Sequence, residues 1–193
     1  MSGDFFAFLS RMKNINRWAL MRNTRSENIC EHSQDVAVLA HGLAVLQNAR
    51  FSPQVDAGRC VLLAMYHDAP EIFTGDLPTP VKHGNPAIEK AYREIEENAA
   101  QQLLQKLPAD MQPAYRPWLL GEGVDAEELR IVKAADKLAA LIKCAEELEQ
   151  GNREFRSAYQ ATLQALHDMK MPAAEQFIVE FLPAFTLTLD EQG

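Results

Sequence analysis

The chain has 193 residues, with 19 basic against 27 acidic side chains and a formal charge of −8. That length suits one domain spanning residues 1–193 with a sizeable core, and no Pro/Gly/Ser-rich linker divides it. The acidic balance disfavours a nucleic-acid polymer as partner, and no apolar stretch approaches the length of a membrane span. In chain order, the opening run Phe5-Phe6-Ala7-Phe8-Leu9 is too short, and with Arg11 and Lys13 too badly flanked, for a signal peptide. A cytoplasmic protein without a membrane partner is the expectation. Residues 1–25 hold Arg11, Lys13, Arg17, Arg22 and Arg25 against Asp4 alone. This excess fits a small anionic ligand and equally a solvated basic surface.

Apolar residues recur at helical spacing almost throughout, with no alternating strand pattern and no Asn-Gly or Asp-Gly hairpin signal, so the fold class is all-α. A helical bundle of about seven or eight helices is expected, placed near 4–13, 28–49, 56–69, 85–107, 111–120, 125–150, 153–169 and 173–183. Asn28, Asp56, Asn85 and Asp125 are the predicted N-caps. In the second helix, Val36, Leu39, Leu43 and Leu46 form one stripe, and His32 lies a turn earlier on it, facing inward. His41 is rotated away from that stripe. The third helix carries Cys60 to Tyr66, a run apolar on every side that reads as fully buried, and ends in His67-Asp68. An imidazole beside a carboxylate there requires a partner, and a metal ion is an economical one.

Gly75-Asp76-Leu77-Pro78-Thr79-Pro80 reads as a stiff loop, because Pro78 and Pro80 lack amide donors and push the residues before them toward extended conformations. Following so soon after His67-Asp68, it belongs at the rim of the site that pair builds. In the helix near 125–150, Ile131, Ala135, Leu138, Ala139 and Ile142 define an apolar arc with Asp136 at its shoulder. Lys133 and Lys137 project elsewhere on the wheel, and a salt bridge to a distant arginine is the other reading of Asp136. Thr162, Leu163, Leu166, Phe177, Ile178 and Phe181 read as packing or a dimer face. Cys30, Cys60 and Cys144 are odd in number and form no CxxC pair, so reduced thiols are expected.

His32, His67, Asp68 and Asp136 together offer two imidazoles and two carboxylates from three helices, a credible set for one divalent cation (Co, Mn, Zn, Fe or Mg) within a core of about residues 28–150. Glu31-His32-Ser33, Tyr66-His67-Asp68-Ala69-Pro70-Glu71, Gly75 to Pro80 and Lys133-Ala134-Ala135-Asp136-Lys137-Leu138 resemble the H…HD…D signature of HD-domain phosphohydrolases. With Asn16-Arg17-Trp18 and Met21-Arg22-Asn23, the pattern is similar to the bacterial HD-domain 5′-deoxynucleotidases over most of the chain to Phe185.

That resemblance implies an α-helical homodimer that removes phosphate from deoxyribonucleoside 5′-monophosphates with a divalent metal. It assigns the metal to His32, His67, Asp68 and Asp136, the phosphate to Arg17, the sugar C2′ to Trp18, a catalytic role to Glu71 and the sugar hydroxyl to Asp76. Substrate contact is implied for His32, Asp68 and Asp136 too, and along Asp76-Leu77-Pro78-Thr79. Arg17 suits a phosphate because a planar guanidinium donates two parallel hydrogen bonds and keeps its charge. Packed on C2′, the Trp18 indole accepts a methylene and leaves an added hydroxyl desolvated, so ribonucleotides should react poorly. Recognition through sugar and phosphate predicts broad base tolerance. Other readings stay open: an HD hydrolase of a cyclic nucleotide, triphosphate or alarmone, or a non-catalytic module whose metal staples helices around a nucleotide.

Overall fold

A helix start leaves backbone N–H groups without intrahelical acceptors, and Asn28, Asp56, Asn85 and Asp125 each supply one. The computed structural model describes residues 3–82 and 85–193. Asn28 Oδ1 accepts from Cys30 N and Glu31 N, each at 3.0 Å, while Glu31 accepts in return from Asn28 N at 3.3 Å. Asp56 Oδ1 accepts from Arg59 N at 3.0 Å, Asn85 Oδ1 from Ile88 N at 2.9 Å and Asp125 Oδ1 from Glu127 N at 2.8 Å.

The helices are α1 (Phe5–Leu9), α2 (Ile29–Arg50), α3 (Ala57–Tyr66), α4 (Glu71–Thr74), α5 (Thr79–Lys82), α6 (Pro86–Gln105), α7 (Gln112–Leu120), α8 (Ala126–Glu149), α9 (Arg156–Asp168), α10 (Pro172–Glu180) and α11 (Leu189–Gln192), with 3₁₀ turns at Ser10–Asn14, Arg153–Phe155 and Leu182–Thr186. No strand occurs among the described residues beyond one isolated antiparallel bridge between Asn16 and Asn28. The fold is all-α, as the periodicity predicts.

Three expectations need correction. Helix α3 stops at Tyr66, because Pro70 has no N–H to give the Tyr66 carbonyl; Ala69 N donates to it instead at 3.1 Å, a tighter turn that puts His67-Asp68 outside the helix. Nor is the apolar run buried on every side, since Leu62 is 37% and Met65 42% exposed. The stiff loop is likewise shorter than expected. Only Gly75 to Pro78 is irregular, and Thr79 and Pro80 open α5, where a first-turn proline loses no hydrogen bond.

By contact the chain forms two compact units. Unit one comprises Met1–Leu20, Ser26–Gln34 and Met65–Val124. Its core gathers Phe5, Met12, Ile29, Ala69, Leu103, Leu104, Leu107 and Leu119, with Tyr115 set edge-on to Phe5 at 5.3 Å between ring centroids. Ala69 lies in that core, which fixes the turn bearing His67-Asp68 by ordinary packing.

Unit two comprises Met21–Arg25, Asp35–Ala64 and Asp125–Gly193. Val36, Leu39, Leu43 and Leu46 are all buried, His41 is exposed, and α8 contributes Ile131, Leu138 and Leu141 to the interior. Leu166 and Phe177 are also buried, whereas Phe181 is exposed, so the apolar positions of α9 and α10 divide between packing and surface. Cys30, Cys60 and Cys144 are free thiols.

A buried polar knot fixes the 21–25 segment within this unit. Glu147 bonds to Lys143 and accepts from Thr24 Oγ1 at 2.9 Å and Asn152 Nδ2 at 2.8 Å, while Lys143 Nζ donates to the Arg25 carbonyl at 2.6 Å. Burial pushes the Glu147 carboxyl up, but the bonds from Lys143, Thr24 and Asn152 more than offset it and bring its pKa to about 2, against an ordinary 4.5. A depressed carboxylate contributes stability above its unfolded pKa and loses it as pH falls toward its folded one, here between about 4.5 and 2. The contribution is up to about 3 kcal/mol at neutral pH. Urea unfolding of wild type and Glu147→Gln at pH 7 and pH 3 should show a gap that narrows in acid; a gap independent of pH would contradict it.

Candidate metal centre

The site is built within the first unit from two backbone devices. Ile29 N donates to Ile15 O at 3.0 Å and Arg17 N to Glu27 O at 2.9 Å, on either side of the Asn16–Asn28 bridge. These bonds clamp residues 15–17 against the entrance of α2. Arg17 Nη1 consequently reaches Glu27 Oε1 at 2.7 Å, both side chains being largely buried. Next in the chain, Trp18 adopts φ +57°, a left-handed conformation costly for a bulky residue and held here by its surroundings. Its backbone N–H donates to the Asp76 carboxylate, and the Arg17 guanidinium stands 6.0 Å from the indole centroid.

His32, in the first turn of α2, is fully buried. Its Nδ1 lies 3.3 Å from Glu27 Oε1 and its Nε2 lies 3.5 Å from Asp68 Oδ2. Across the turn after α3, His67 Nε2 approaches the same Asp68 oxygen at 3.2 Å. Two donors bound to one ion at about 2.1 Å stand about 3.0 to 3.4 Å apart for right-angle to tetrahedral arrangements, and these contacts fit that spacing. One donor atom from each of His32, His67 and Asp68 falls within 4.8 Å of the other two. Neutral imidazole with carboxylate suits a borderline divalent cation, so the trio is chemically and geometrically fit to hold one.

Glu71 caps the arrangement. It begins α4, its N–H bonded to Asp68 O at 3.0 Å, and is only 8% exposed with Oε2 lacking a hydrogen-bond partner. Burial, and then the charges of Asp68 and Asp76, push its carboxyl up to about 9. Asp68 moves oppositely. Burial raises it, yet His67, His32 and Arg17 more than compensate and hold it well below the usual carboxylate range. Burial and the Asp68 charge raise Asp76 against the pull of Arg17 and the Trp18 amide. A cavity of about 440 Å³ borders His67 and Glu71 and is walled by Arg93, Glu96, Glu97 and Leu119.

The family model of YfbR-like 5′-deoxynucleotidases matches residues 4–185. The chain belongs to that family. Among the relatives of this YfbR-like chain, the 5′-deoxynucleotidase yfbR of Photorhabdus temperata is 52% identical over 190 residues, covering 97% of this chain and 95% of the relative. A 5′-deoxynucleotidase of Vibrio vulnificus is 48% identical over 187 residues, covering 97% and 96%. An HD-domain phosphohydrolase from Listeria innocua superposes with a TM-score of 0.81 at 28% identity, covering 98% of this chain and 91% of that one. The HD phosphohydrolase of cyanophage S-2L, solved with dA and one catalytic Zn²⁺, gives 0.68 at 19% identity, covering 94% and 96%, a likeness of fold.

Of the residues singled out in this YfbR-like sequence, the structure brings together Arg17, Trp18, His32, His67, Asp68, Glu71 and Asp76 within unit one. Leu77 and Pro78 are half-buried in the loop; Thr79 begins α5, and its side chain lies outside the described atoms. Asp136 is half-buried on α8, in unit two, flanked by the buried Ala135 and exposed neighbour Lys133 three residues back, which agrees with its shoulder position. Arg22 pairs with Glu154 at 2.8 Å and its side chain is 93% exposed, whereas Arg17 is tied to the site through Glu27. Glu27 went unread in the sequence. An acid five residues before a histidine has no periodic relation to it, and only the fold back of residues 15–17 makes it a partner.

Proposed function

We propose that this chain is a divalent-metal-dependent 5′-deoxynucleotidase that hydrolyses 2′-deoxyribonucleoside 5′-monophosphates to deoxyribonucleoside and phosphate. The reading rests on one observation: His32, His67 and Asp68 stand at metal-ligand spacing beside Arg17 and Glu71, in a chain matched along 4–185 by that family. The match runs across both units, which supports one functional domain over residues 1–193. Asp136 enters as the fourth ligand on the strength of the motif. A bound divalent cation (Co, Mn, Zn, Fe or Mg) would supply Lewis acidity at the phosphoryl group and a lowered pKa for water.

The chain's own residues do the rest. Arg17, restrained by Glu27, grips the phosphate and aligns phosphorus for in-line attack. Glu71 orients the water and handles the proton that moves between it and the departing 5′-oxygen. Asp76, anchored by the Trp18 amide, accepts the sugar 3′-hydroxyl, leaving the base unread; Leu77, Pro78 and Thr79 continue that wall. Trp18 stands against C2′.

Phosphate release measured across deoxy and ribo monophosphates, with several divalent ions, tests the reading. Faster release from the deoxy forms supports it; products arising from cyclic nucleotides or triphosphates instead would point to another HD hydrolase. Trp18→Ala is expected to narrow the deoxy-over-ribo ratio of kcat/KM about ten-fold, the scale of one hydroxyl left desolvated. An unchanged ratio removes that role. A cytoplasmic homodimer completes the proposal. Val38 and Val45, seven residues apart on α2 and 61% and 49% exposed, support a face for a second copy. No helix among the described residues is long and apolar enough to cross a membrane.

A further inference from the structure

We infer that Glu27 is a positioning residue whose single oxygen, Oε1, orients the phosphate-gripping Arg17 and the metal-ligating His32 together. This deepens the deoxynucleotidase reading and rests on it for the roles of those two residues.

Two hydrogen bonds and one close polar contact converge on Glu27. Its backbone carbonyl accepts from Arg17 N at 2.9 Å, its Oε1 accepts from Arg17 Nη1 at 2.7 Å, and the same Oε1 stands 3.3 Å from His32 Nδ1. The side chains of Arg17, Glu27 and His32 are 13%, 14% and 0% exposed, so water competes little for any of them.

The consequence for His32 follows from its two nitrogens. An acceptor at Nδ1 keeps the proton there, turns the Nε2 lone pair toward Asp68 Oδ2 and makes the ring a more basic ligand. For Arg17, a charge-assisted bond through Nη1 fixes the guanidinium plane, and the rest of its fork is left to meet a phosphate. Because both demands fall on one oxygen, loss of the Glu27 carboxylate should weaken metal and phosphate binding together.

The test uses the full chain, stripped of metal, as wild type, Glu27→Ala, Glu27→Gln and Arg17→Ala. Calorimetric titration with Mn²⁺ alone, then with inorganic phosphate on the Mn²⁺-loaded protein, gives the two affinities, and circular dichroism with thermal melting establishes that each variant is folded. Glu27→Ala is expected to weaken Mn²⁺ binding about 10- to 100-fold and phosphate binding about ten-fold. Glu27→Gln keeps an acceptor oxygen without the charge and should fall between wild type and alanine in both titrations. It decides the matter if the alanine variant does not fold. Arg17→Ala should weaken phosphate while leaving Mn²⁺ within about two-fold, which separates the two arms of the carboxylate. A folded Glu27 variant with a lowered melting temperature and both affinities unchanged would overturn the inference, showing a purely structural acid. A wild type that binds Mn²⁺ and phosphate but hydrolyses no deoxyribonucleotide would instead overturn the functional reading and leave the Glu27 result standing.

Discussion

Glu71→Ala is expected to lower kcat about 10²- to 10⁴-fold, the range for removing a positioned proton-handling group, while leaving the fold and the affinity for a divalent cation in place. Several observations separate Glu71 from an ordinary structural acid. It is 8% exposed, and Oε2 makes no hydrogen bond, so the structure retains a buried carboxyl that local bonding does not fully satisfy. Burial and the nearby charges of Asp68 and Asp76 raise it to about 9. A carboxyl raised above its unfolded 4.5 costs no stability below that pH, and the penalty grows as pH rises from there toward about 9. Glu71→Gln, nearly isosteric and never charged, should therefore melt higher than wild type in metal-free protein at neutral pH and be as inactive as the alanine variant. An inactive protein that is also less stable and no longer binds the cation would make Glu71 a packing residue.

Arg17→Ala is expected to lower kcat/KM about 10²- to 10³-fold, since two charge-assisted hydrogen bonds to a phosphate contribute about 3 to 4 kcal/mol together. Arg17→Lys should recover only part of this loss. It restores a positive charge but not the planar fork, and a lysine cannot hold Glu27 and a phosphate oxygen in the geometry that the 2.7 Å contact sets. The alanine variant also leaves the Glu27 carboxylate without its guanidinium partner in a largely buried position, so a modest fall in melting temperature should accompany the kinetic loss. Steady-state kinetics on a deoxyribonucleoside 5′-monophosphate would reveal full activity in the lysine variant if Arg17 acted only as a distant charge.

Much of this architecture was legible because its causes are local. The caps at Asn28, Asp56, Asn85 and Asp125 follow from side-chain oxygens meeting amides two or three residues on, and the stripe from Val36 to Leu46 marks the inner face of α2 and places His32 on it. His67-Asp68 stood out as two polar groups after an apolar run. The end of α3 falls three residues before the expected 69, and Pro70 carries the reason: its missing N–H leaves the Tyr66 carbonyl to a tighter turn, which turns a helical pair into a turn pair. What stayed hidden depends on segments meeting across the chain. The Ile15–Arg17 clamp on Glu27–Ile29, the left-handed Trp18 and the Glu27 bridge all arise from a ten-residue excursion with no periodic signal. Such pairings are set by tertiary closure and not by propensity.

The most direct test is of the cation itself. Metal-stripped wild-type protein titrated with a divalent ion should bind one equivalent per chain and regain phosphate release from a deoxyribonucleoside 5′-monophosphate in proportion to occupancy. Asp68→Asn, which keeps the shape of the side chain but removes the carboxylate facing both His32 and His67, should bind the ion at least about 100-fold more weakly and release no phosphate at the same metal concentration. Full activity in the stripped wild-type protein, or undiminished ion binding by the Asp68 variant, would contradict the account.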